Sequence, residues 1–334
     1  MRAAVLGAGS WGTTFAQVLC DAGTGTVILG RRPELARAIT ERHENPEYLP
    51  GISLDPLLRA TTDPAVALDR ADIVVLAVPA QSLRRNLTAW APQIPPTADV
   101  VSLIKGIEIG SCERITEIIH DVLGTPAGQT LVVSGPNLAR EIAQRQHAAT
   151  VVACADEAAA QRLQRACHTS YFRPYTNPDV IGCELGGAVK NVIAIAVGIA
   201  IGMGLGDNTR AMLITRGLAE IARLGAAVGA DQHTFAGLAG LGDLVVTCSS
   251  PLSRNRTFGE NLGRGKTLPE VIATTRQTTE GVKSAGSVLE LAGRHGVEMP
   301  ITEVVDAVIR EGLPVEKAAQ MLASRSAKPE RYGV

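Results

Sequence analysis

Large aromatic side chains are scarce in this sequence. Phe, Trp and Tyr make up only 3% of the residues, whereas hydrophobic residues as a whole reach 46%. The core must therefore be built from Ala, Val, Leu and Ile, a composition that fits buried parallel strands and close helix packing. The length of 334 residues leaves room for two domains at roughly 150 residues each.

The sequence also lacks an excess of charge of either sign. Its 32 basic and 33 acidic residues predict no general affinity for nucleic acid or for an anionic membrane surface. The six cysteines are scattered and form no CxxC pair, which is typical of reduced thiols in the cytoplasm. The histidines form neither an HExxH motif nor a Cys/His cluster, so no metal site is predicted.

Neither an export signal nor a membrane span is expected from the sequence. The first residues lead directly into an apolar segment at 3–6 without the pattern of a signal peptide, so a cytoplasmic location is expected. The most apolar run, residues 192–206, contains four glycines and is shorter than the roughly 20 residues that span a bilayer. It predicts a buried helix followed by a turn, and no membrane span.

The first half of the chain alternates short β-branched runs with helical stretches. Helical spacing is clear at residues 13–22 and 114–123. Strands are predicted at residues 3–6, 26–29, 73–78, 100–104, 131–134, 149–154 and 171–175. This alternation predicts a parallel, doubly wound sheet of the Rossmann type, with a ligand crevice at the carboxyl ends of the strands.

A change of pattern follows Asn177-Pro178. Strand-like runs become rare and helical spacing dominates, as at residues 210–228 and 302–310. The sequence therefore predicts an α/β domain at residues 1–178 that binds a dinucleotide. A mostly α-helical domain at residues 179–334 is expected to bind the substrate and carry catalysis.

The strongest local motif is the GxGxxG run Gly7-Ala8-Gly9-Ser10-Trp11-Gly12, directly after the first predicted strand and before a helix. Gly7 permits the tight turn, Gly9 lets a pyrophosphate approach the backbone, and Gly12 allows the helix to pack closely on the strand. The helix N-terminus supplies free N–H groups to the phosphates. A plain glycine-rich turn is the alternative, but the position between strand and helix favours dinucleotide binding.

The second predicted strand ends in Gly30-Arg31-Arg32, where an NAD-specific site usually places Asp or Glu for the ribose hydroxyls. Guanidinium groups suit the 2′-phosphate of NADP through bidentate hydrogen bonds. We therefore expect NADPH to be the preferred cofactor, with some use of NADH. A basic turn that faces solvent is the alternative.

Residues 181–206 contain only two charged side chains, Glu184 and Lys190, in a segment otherwise rich in Gly, Ala, Val, Ile and Leu. Burying an ammonium is costly unless it is paired, so such a lysine finds a carboxylate or loses its proton. Both outcomes suit a proton-transfer group. The alternative is a lysine that reaches the surface on its long stem.

Further polar residues follow later strands or lie in the helical half. Lys105 follows the strand at 100–104 and suits an anionic substrate or a polarised carbonyl, although a surface loop lysine is the alternative. Asp243 lies in a glycine-rich stretch and suits either the orientation of Lys190 or the N-cap of a helix. Arg254 beside Asn255 offers a planar fork of donors and an amide for a phosphate.

With these motifs together, the chain resembles the NAD(P)-dependent glycerol-3-phosphate dehydrogenases, most closely their bacterial biosynthetic branch. The resemblance covers nearly the whole chain. Its most specific parts are GAGSWG at 7–12, KG at 105–106, SGPN at 134–137, ELGGAVKNVIAIA at 184–196, AGLGDL at 239–244 and SRNR at 253–256.

The resemblance implies reversible reduction of dihydroxyacetone phosphate to sn-glycerol 3-phosphate, a precursor of glycerophospholipids, by a cytoplasmic homodimer. It makes Lys190 the general acid/base and includes Asp243 and Lys105 among the catalytic residues. The implied substrate-binding residues are Lys105, Gly135, Asn137, Lys190, Asn191, Asp243, Thr247, Ser253, Arg254 and Asn255. The implied cofactor-binding residues are Gly7, Gly9, Ser10, Trp11, Gly12, Arg31, Arg32, Lys105, Ala139, Arg254 and Glu280.

One position departs from the family pattern, and two other functions compete with this one. The family more often carries Ser or Thr at the position of Asn137, although an amide can still donate and accept hydrogen bonds. The first competing function is a related reductase that acts on a 3-hydroxy acid or on ketopantoate, against which the phosphate-type cluster at 253–255 argues. The second is a non-catalytic NADPH-sensing module, which would need no paired Lys190 and Asp243.

Overall fold

A computed structural model describes residues 1–274, 279–326 and 329–330. The chain forms two compact units. The first comprises Met1–Ile104 and Ile115–Val180, and the second comprises Lys105–Arg114 and the described residues from Ile181 onward. The sequence-based division at residue 178 assigned the segment Lys105–Arg114 to the N-terminal part, whereas in the structure it belongs to the second unit.

The first unit is built on an eight-stranded sheet with the order β3-β2-β1-β4-β5-β6-β7-β8. The strands are β1 Arg2–Leu6, β2 Gly25–Leu29, β3 Arg59–Thr61, β4 Ile73–Leu76, β5 Asp99–Ser102, β6 Thr130–Ser134, β7 Ala148–Ala153 and β8 Phe172–Asn177. Seven of them confirm predicted strands to within a few residues. Sequence analysis missed β3, because three residues are too few to show alternation.

Helices cover both faces of this sheet, as in a doubly wound fold. They are α1 Ser10–Asp21, α2 Pro33–Arg37, α3 Pro64–Leu68, α4 Leu83–Trp90, α5 Ile115–Leu123, α6 Ala139–Ala143 and α7 Glu157–Cys167. The alternation of β1 shows why two layers form. Ala3 and Val5 join a core cluster with α1 and α7, whereas Ala4 and Leu6 join another with α3, α4 and α5.

The sheet departs from the predicted all-parallel arrangement at one pair, because β6 and β7 run antiparallel. A parallel connection usually crosses over the sheet through an α-helix. The connection here contains only the five-residue helix α6. That helix is tied back to α1, since the Thr14 hydroxyl donates to the Ala139 carbonyl at 3.1 Å.

The described part of the second unit is helical. Its helices are α8 Val180–Gly202, α9 Asp207–Ala227, α10 Asp243–Ser249, α11 Arg254–Gly263, α12 Leu268–Thr274, α13 Glu280–Arg294, α14 Pro300–Asp306 and α15 Val315–Ala323. A wider, π-helical turn at Leu238–Gly242 leads directly into α10. The helices predicted at 210–228 and 302–310 are confirmed as α9 and as α14 with the turn that follows it.

The prediction for the apolar run was wrong about its bounds. Helix α8 has 23 residues and begins well before residue 192, so by length and composition it qualifies as a membrane span. However, 89% of its most apolar window is buried inside the protein. Burial by its own helical neighbours, rather than insufficient length, identifies α8 as the core helix of the second unit.

Helices α8 and α11 pack backbone against backbone through four glycines. A Cβ at Gly198 would overlap the carbonyl oxygen of Arg256, and a Cβ at Gly259 would overlap that of Ile195. Gly202 and Gly263 repeat this relation one turn further along. Because only a glycine leaves room for such an approach, these positions fix how α11 lies on α8.

Candidate active site

The second unit contains a buried carboxylate between two lysines. Asp243 is 1% exposed and Lys190 is 5% exposed. The Lys190 ammonium donates to Oδ1 of Asp243 and, at 2.6 Å, to the Thr247 hydroxyl. Lys105 donates to the other carboxylate oxygen, Oδ2, at 2.6 Å. The lysine of the apolar run is therefore paired and buried, and it does not extend to the surface.

Local packing explains how these side chains meet. Lys190 lies in the middle of α8, and Asp243 is the first residue of α10, directly after the π-helical turn. A Cβ at Gly186 would overlap the Ala239 carbonyl oxygen, so this turn lies directly against α8. Such π-helical turns often occur at functional sites. The alternative capping role is not seen, because Gly242 occupies the N-cap position.

The surroundings of Lys190 bring its pKa close to neutral pH. Burial lowers the pKa of Lys190 from 10.5 to about 7, the carboxylate of Asp243 opposes this shift, and the positive charge of Lys105 adds to it. Since the Asp243 carboxylate faces two ammonium groups, Lys190 holds its proton less tightly than it would in a pair with Asp243 alone. Lys190 can therefore give up or take back a proton near neutral pH.

A second cluster joins the start of α11 to α8 and α13. The Asn255 amide donates to Oδ1 of Asn191 at 2.9 Å, and its own oxygen accepts from the Gly281 N–H at 3.0 Å. The Ser253 hydroxyl caps α11 by accepting from the Arg256 N–H at 3.3 Å. Sequence analysis assigned Ser253, Asn191 and Asn255 to substrate binding, and the structure adds these internal bonds.

Arg254 is the first residue of α11, and its side chain is exposed. It interacts electrostatically with Glu280, the first residue of α13. A helix N-terminus offers backbone N–H groups and partial positive charge, and an adjacent guanidinium adds a full charge. This end of α11 is therefore suited to an anionic group such as a phosphate.

In the first unit, the glycine motif has the shape that a dinucleotide needs. Gly7 has a φ of +131°, and a Cβ there would overlap the Ala77 carbonyl oxygen at the end of β4. A Cβ at Gly12 would overlap the carbonyl oxygen of Gly7. By contrast, a Cβ at Gly9 would meet nothing within 4 Å. The open space beside Gly9 faces the helix start, where pyrophosphate binds in this class of fold.

Other residues of the first unit also fit a dinucleotide. Gly9 is the N-cap of α1 and no side chain caps that end, so its N–H groups can serve phosphate oxygens. The Trp11 ring packs on Phe15 and Phe172, with centroids 5.7 and 6.4 Å away. Its Nε1 is buried and makes no hydrogen bond within the described part of the chain. The Ser10 hydroxyl donates to the Tyr48 carbonyl at 3.0 Å.

The two arginines after β2 differ in their surroundings. Arg31 is exposed and makes no ion pair with any described residue. Arg32 is ion-paired with Glu47, lies 3.9 Å from a Glu34 oxygen, and stacks over the Tyr48 ring at 5.7 Å from its centroid. Sequence analysis did not find Glu47 or Tyr48, because nothing in their local pattern indicates a contact with the residues after β2.

The residues after β6 also belong to the first unit. Gly135 has a φ of +144°, which favours glycine. The Asn137 amide donates to the Thr150 hydroxyl at 3.0 Å, and that hydroxyl donates to the Ser134 carbonyl at 3.0 Å. The Asn137 oxygen is buried without a hydrogen-bond partner in the described structure. Thus the amide that replaces the usual Ser or Thr supports the strand end and keeps one acceptor available.

The other titratable groups of the described residues include the side chains that metal and disulfide sites require. No group of three or more His, Cys, Asp or Glu side chains suited to a metal ion occurs among the described residues. All six cysteines lie within the described ranges and are free thiols. Glu184, the other charge of the apolar run, pairs with Arg114 at 2.6 Å, a contact that the sequence did not reveal.

A doubly wound sheet with a glycine-rich turn after β1, together with a buried lysine of lowered pKa, defines a dinucleotide-dependent oxidoreductase. Two family profiles make this specific. The profile of the NAD-dependent glycerol-3-phosphate dehydrogenase N-terminus matches residues 2–160 of this chain. The profile of the NAD-dependent glycerol-3-phosphate dehydrogenase C-terminus matches residues 179–320. The chain belongs to the NAD-dependent glycerol-3-phosphate dehydrogenase family.

Individual relatives agree with this assignment over the full chain. A glycerol-3-phosphate dehydrogenase (NAD(P)+) of Thermobifida fusca is 65% identical over 334 residues, covering 100% of this chain and 99% of that protein. One of Streptomyces griseus is 65% identical over 331 residues, with coverages of 99% and 98%. The crystal structure of the Coxiella burnetii glycerol-3-phosphate dehydrogenase has a TM-score of 0.92 at 37% identity, covering 97% of this chain and 99% of that one.

Proposed function

We propose that this protein catalyses the reversible, NAD(P)H-dependent reduction of dihydroxyacetone phosphate to sn-glycerol 3-phosphate, with Lys190 as the general acid/base. The observation that supports this role is the pairing of one buried carboxylate, Asp243, with both Lys190 and Lys105. Family membership supports the reaction over the reduction of a 3-hydroxy acid precursor or ketopantoate. A pure sensing module would have no use for the buried pair.

The residues of the second unit account for the proton. When bound, the reduced nicotinamide supplies the hydride that the ketone carbon accepts. Lys190 donates a proton from Nζ to the oxygen that develops negative charge, and becomes neutral as the alcohol forms. Asp243 and Thr247 hold the ammonium in position through hydrogen bonds. In the reverse direction, neutral Lys190 takes the proton from the alcohol.

Binding of the remaining groups is proposed as follows. The start of α11, with Arg254 and Asn255, holds the substrate phosphate, so that remote binding energy orients the carbonyl. The loop 7–12 holds the cofactor pyrophosphate, and Arg31 with Arg32 favours NADPH over NADH. Contacts of Ala139 and Glu280 with the cofactor stay predictions from the family resemblance. So do the homodimer, the cytoplasmic location and the supply of glycerophospholipid synthesis.

Initial rates with dihydroxyacetone phosphate and either NADPH or NADH test the function directly. We expect turnover with both cofactors and a higher kcat/KM with NADPH. In Lys190→Met, kcat for reduction should fall by a factor on the order of 10² to 10⁴, the range typical of a lost general acid. The matched control is Lys283→Met, at an exposed lysine on α13, which should keep normal rates.

Three results would contradict the proposal. Near-normal turnover in a folded Lys190→Met protein would remove the lysine from the mechanism. Faster turnover of ketopantoate or of the oxidised form of a 3-hydroxy acid would assign a different substrate. Tight NADPH binding without turnover of any ketone in this panel would indicate a sensing module.

A further inference from the structure

The Arg32 guanidinium, one of the two expected to meet the 2′-phosphate of NADPH, is already engaged by carboxylates of its own unit. It is ion-paired with Glu47 and lies 3.9 Å from Glu34. Its face is stacked over the Tyr48 ring at 5.7 Å. The ion pair holds the pKa of Glu47 below its usual value, so Glu47 stays charged at neutral pH. Arg31 is exposed and forms no ion pair with any residue that the structure describes.

The segment that carries Glu47 is fixed to the glycine motif. The Asn45 amide donates to the Ala8 carbonyl at 3.0 Å, and the Asn45 oxygen accepts from the Tyr48 N–H at 3.1 Å. The Ser10 hydroxyl then donates to the Tyr48 carbonyl at 3.0 Å. Glu47 therefore lies in a short segment bonded to the dinucleotide loop at both of its ends. These hydrogen bonds hold Glu47 in its position beside Arg32.

Carboxylates of the first unit offset the positive charge of Arg32. The Arg32 guanidinium faces two carboxylates, Glu34 and Glu47, whereas Arg31 faces solvent. A 2′-phosphate carries a charge between about −1.5 and −2, as phosphate monoesters do near pH 7. To bind Arg32, the 2′-phosphate must either displace Glu47 or be repelled by the Glu47 carboxylate. A cofactor without this phosphate leaves the ion pair intact.

We propose that Glu47 is a specificity-determining residue that competes with the 2′-phosphate of NADPH for Arg32 and thereby preserves the use of NADH. The proposal rests on the proposed function, in which this unit binds NAD(P). Arg31 supplies the attraction for the phosphate, and the Arg32–Glu47 pair limits it. Removing the carboxylate should release Arg32 to the phosphate and shift the balance toward NADPH.

Equilibrium titration without ketone substrate provides the test. Nucleotide fluorescence would give Kd for NADPH and for NADH in the wild type, Glu47→Gln and Glu44→Gln. Glu44 is the matched control, because it lies in the same region but pairs with Arg42 at 2.7 Å. Glu47→Gln should tighten NADPH binding by up to about 5-fold, the equivalent of an exposed ion pair. The Kd for NADH should not change, and Glu44→Gln should resemble the wild type.

Three further measurements separate competition from other causes. In an Arg32→Ala background, Glu47→Gln should bring no gain for NADPH, because the released partner is missing. Titration with adenosine 2′,5′-bisphosphate and adenosine 5′-monophosphate should show the same gain for the first probe only. The gain should shrink as salt rises, since exposed charges are screened.

The outcomes distinguish this inference from the function on which it rests. Equal changes for both cofactors, weaker NADPH binding in Glu47→Gln, or a gain that persists without Arg32 would overturn the competition. If the wild type binds both cofactors and only the ratio fails to move, the dehydrogenase assignment stands and the role of Glu47 does not. If the wild type binds neither cofactor, the proposed dinucleotide site and this inference fail together.

Discussion

A single carboxylate stabilises two ammonium groups in this protein, and that arrangement controls the chemistry of Lys190. With one ammonium, the pair would be neutral and the lysine would keep its proton firmly. With Lys105 on the other oxygen at 2.6 Å, the cluster carries an extra positive charge in a buried place. Burial lowers the pKa of Lys190, which makes its proton easier to lose.

The pH dependence of the two reaction directions should therefore mirror each other. In the proposed mechanism, reduction needs protonated Lys190, whose pKa is lowered to about 7 mainly by burial. We expect kcat/KM for the ketone to be constant below pH 7 and to fall by about tenfold per pH unit above it, as for one essential acid. Oxidation needs the neutral amine, so its kcat/KM should rise up to pH 7 and level off above it.

Substitution of Lys105 and of Asp243 should shift the pH midpoint of reduction in opposite directions. Lys105→Met removes a positive charge beside Lys190, so the midpoint for reduction should move to higher pH. Asp243→Asn removes the stabilising carboxylate, so the midpoint should move to lower pH. Rate profiles from pH 5 to 10 would show both shifts even if the absolute rates fall. Profiles with unmoved midpoints would mean that Lys190 is not the titrating group.

Sequence analysis predicted part of the cluster formed by Lys190, Asp243 and Lys105. The isolation of Lys190 in an apolar run indicated a buried and paired lysine, and Asp243 was one possible partner. It did not indicate that Lys105 shares the same carboxylate, because 138 positions separate them and no local pattern relates a loop lysine to a distant helix start. The pairing of Glu184 with Arg114 was missed for the same reason.

Among the elements, the contact between α8 and α11 matters most for the site. Lys190 and Asn191 lie on α8, and Arg254 and Asn255 begin α11. The four interfacial glycines bring the two backbones together along the same helices. The proposed proton donor and the proposed phosphate anchor are therefore held in register by backbone contact rather than by long side chains.

Alanine substitutions at two glycines should have opposite effects on stability. Gly259→Ala would drive a Cβ into the Ile195 carbonyl oxygen and should lower the free energy of unfolding by about 1 to 3 kcal/mol. Gly293→Ala on α13 meets nothing within 4 Å and should raise it by up to about 1 kcal/mol, as helix propensity predicts. Urea unfolding followed by circular dichroism would compare them. Equal stabilities would show that the α8–α11 contact tolerates a methyl group.

The predictability of the elements followed their length and their apolar pattern. Buried strands with β-branched runs were found because each run is continuous and bounded by turn residues. Strand β3 was missed because it is short and lies at the sheet edge. The start of α8 was missed because Gly182, Gly186 and Gly187 lower helix propensity. In the structure, close packing compensates for that preference, as at Gly186.

At the scale of the whole molecule, cofactor binding should raise the free energy of unfolding of the first unit. Both tryptophans, Trp11 and Trp90, lie in that unit, so their fluorescence reports its unfolding alone. NADPH at about 100 times its Kd should raise the free energy of unfolding by about 2.7 kcal/mol. Gly9→Val should unfold like the wild type without cofactor, because Gly9 faces open space, yet gain nothing from NADPH.

A second glycine of the motif provides the contrast. In Gly12→Val the new side chain would overlap the Gly7 carbonyl, so the protein should be less stable by about 1 to 3 kcal/mol even without cofactor. Urea titrations of the three proteins, with and without NADPH, would separate the two roles. Full stabilisation of Gly9→Val by NADPH would place the pyrophosphate elsewhere.

The segment Lys105–Arg114 leaves the first unit after β5 and returns to it at α5, yet its Ile107 and Cys112 are buried in the core of the second. On the ribosome, this segment emerges before the residues from Ile181 onward that surround it have been made. At about 5 to 20 residues per second, the delay is on the order of several seconds. The first unit must pair β5 with β6 around a segment that still lacks its own core. Lys105 meets Asp243 only after synthesis has passed α10, so the cluster that we propose transfers the proton forms late in the folding of this chain.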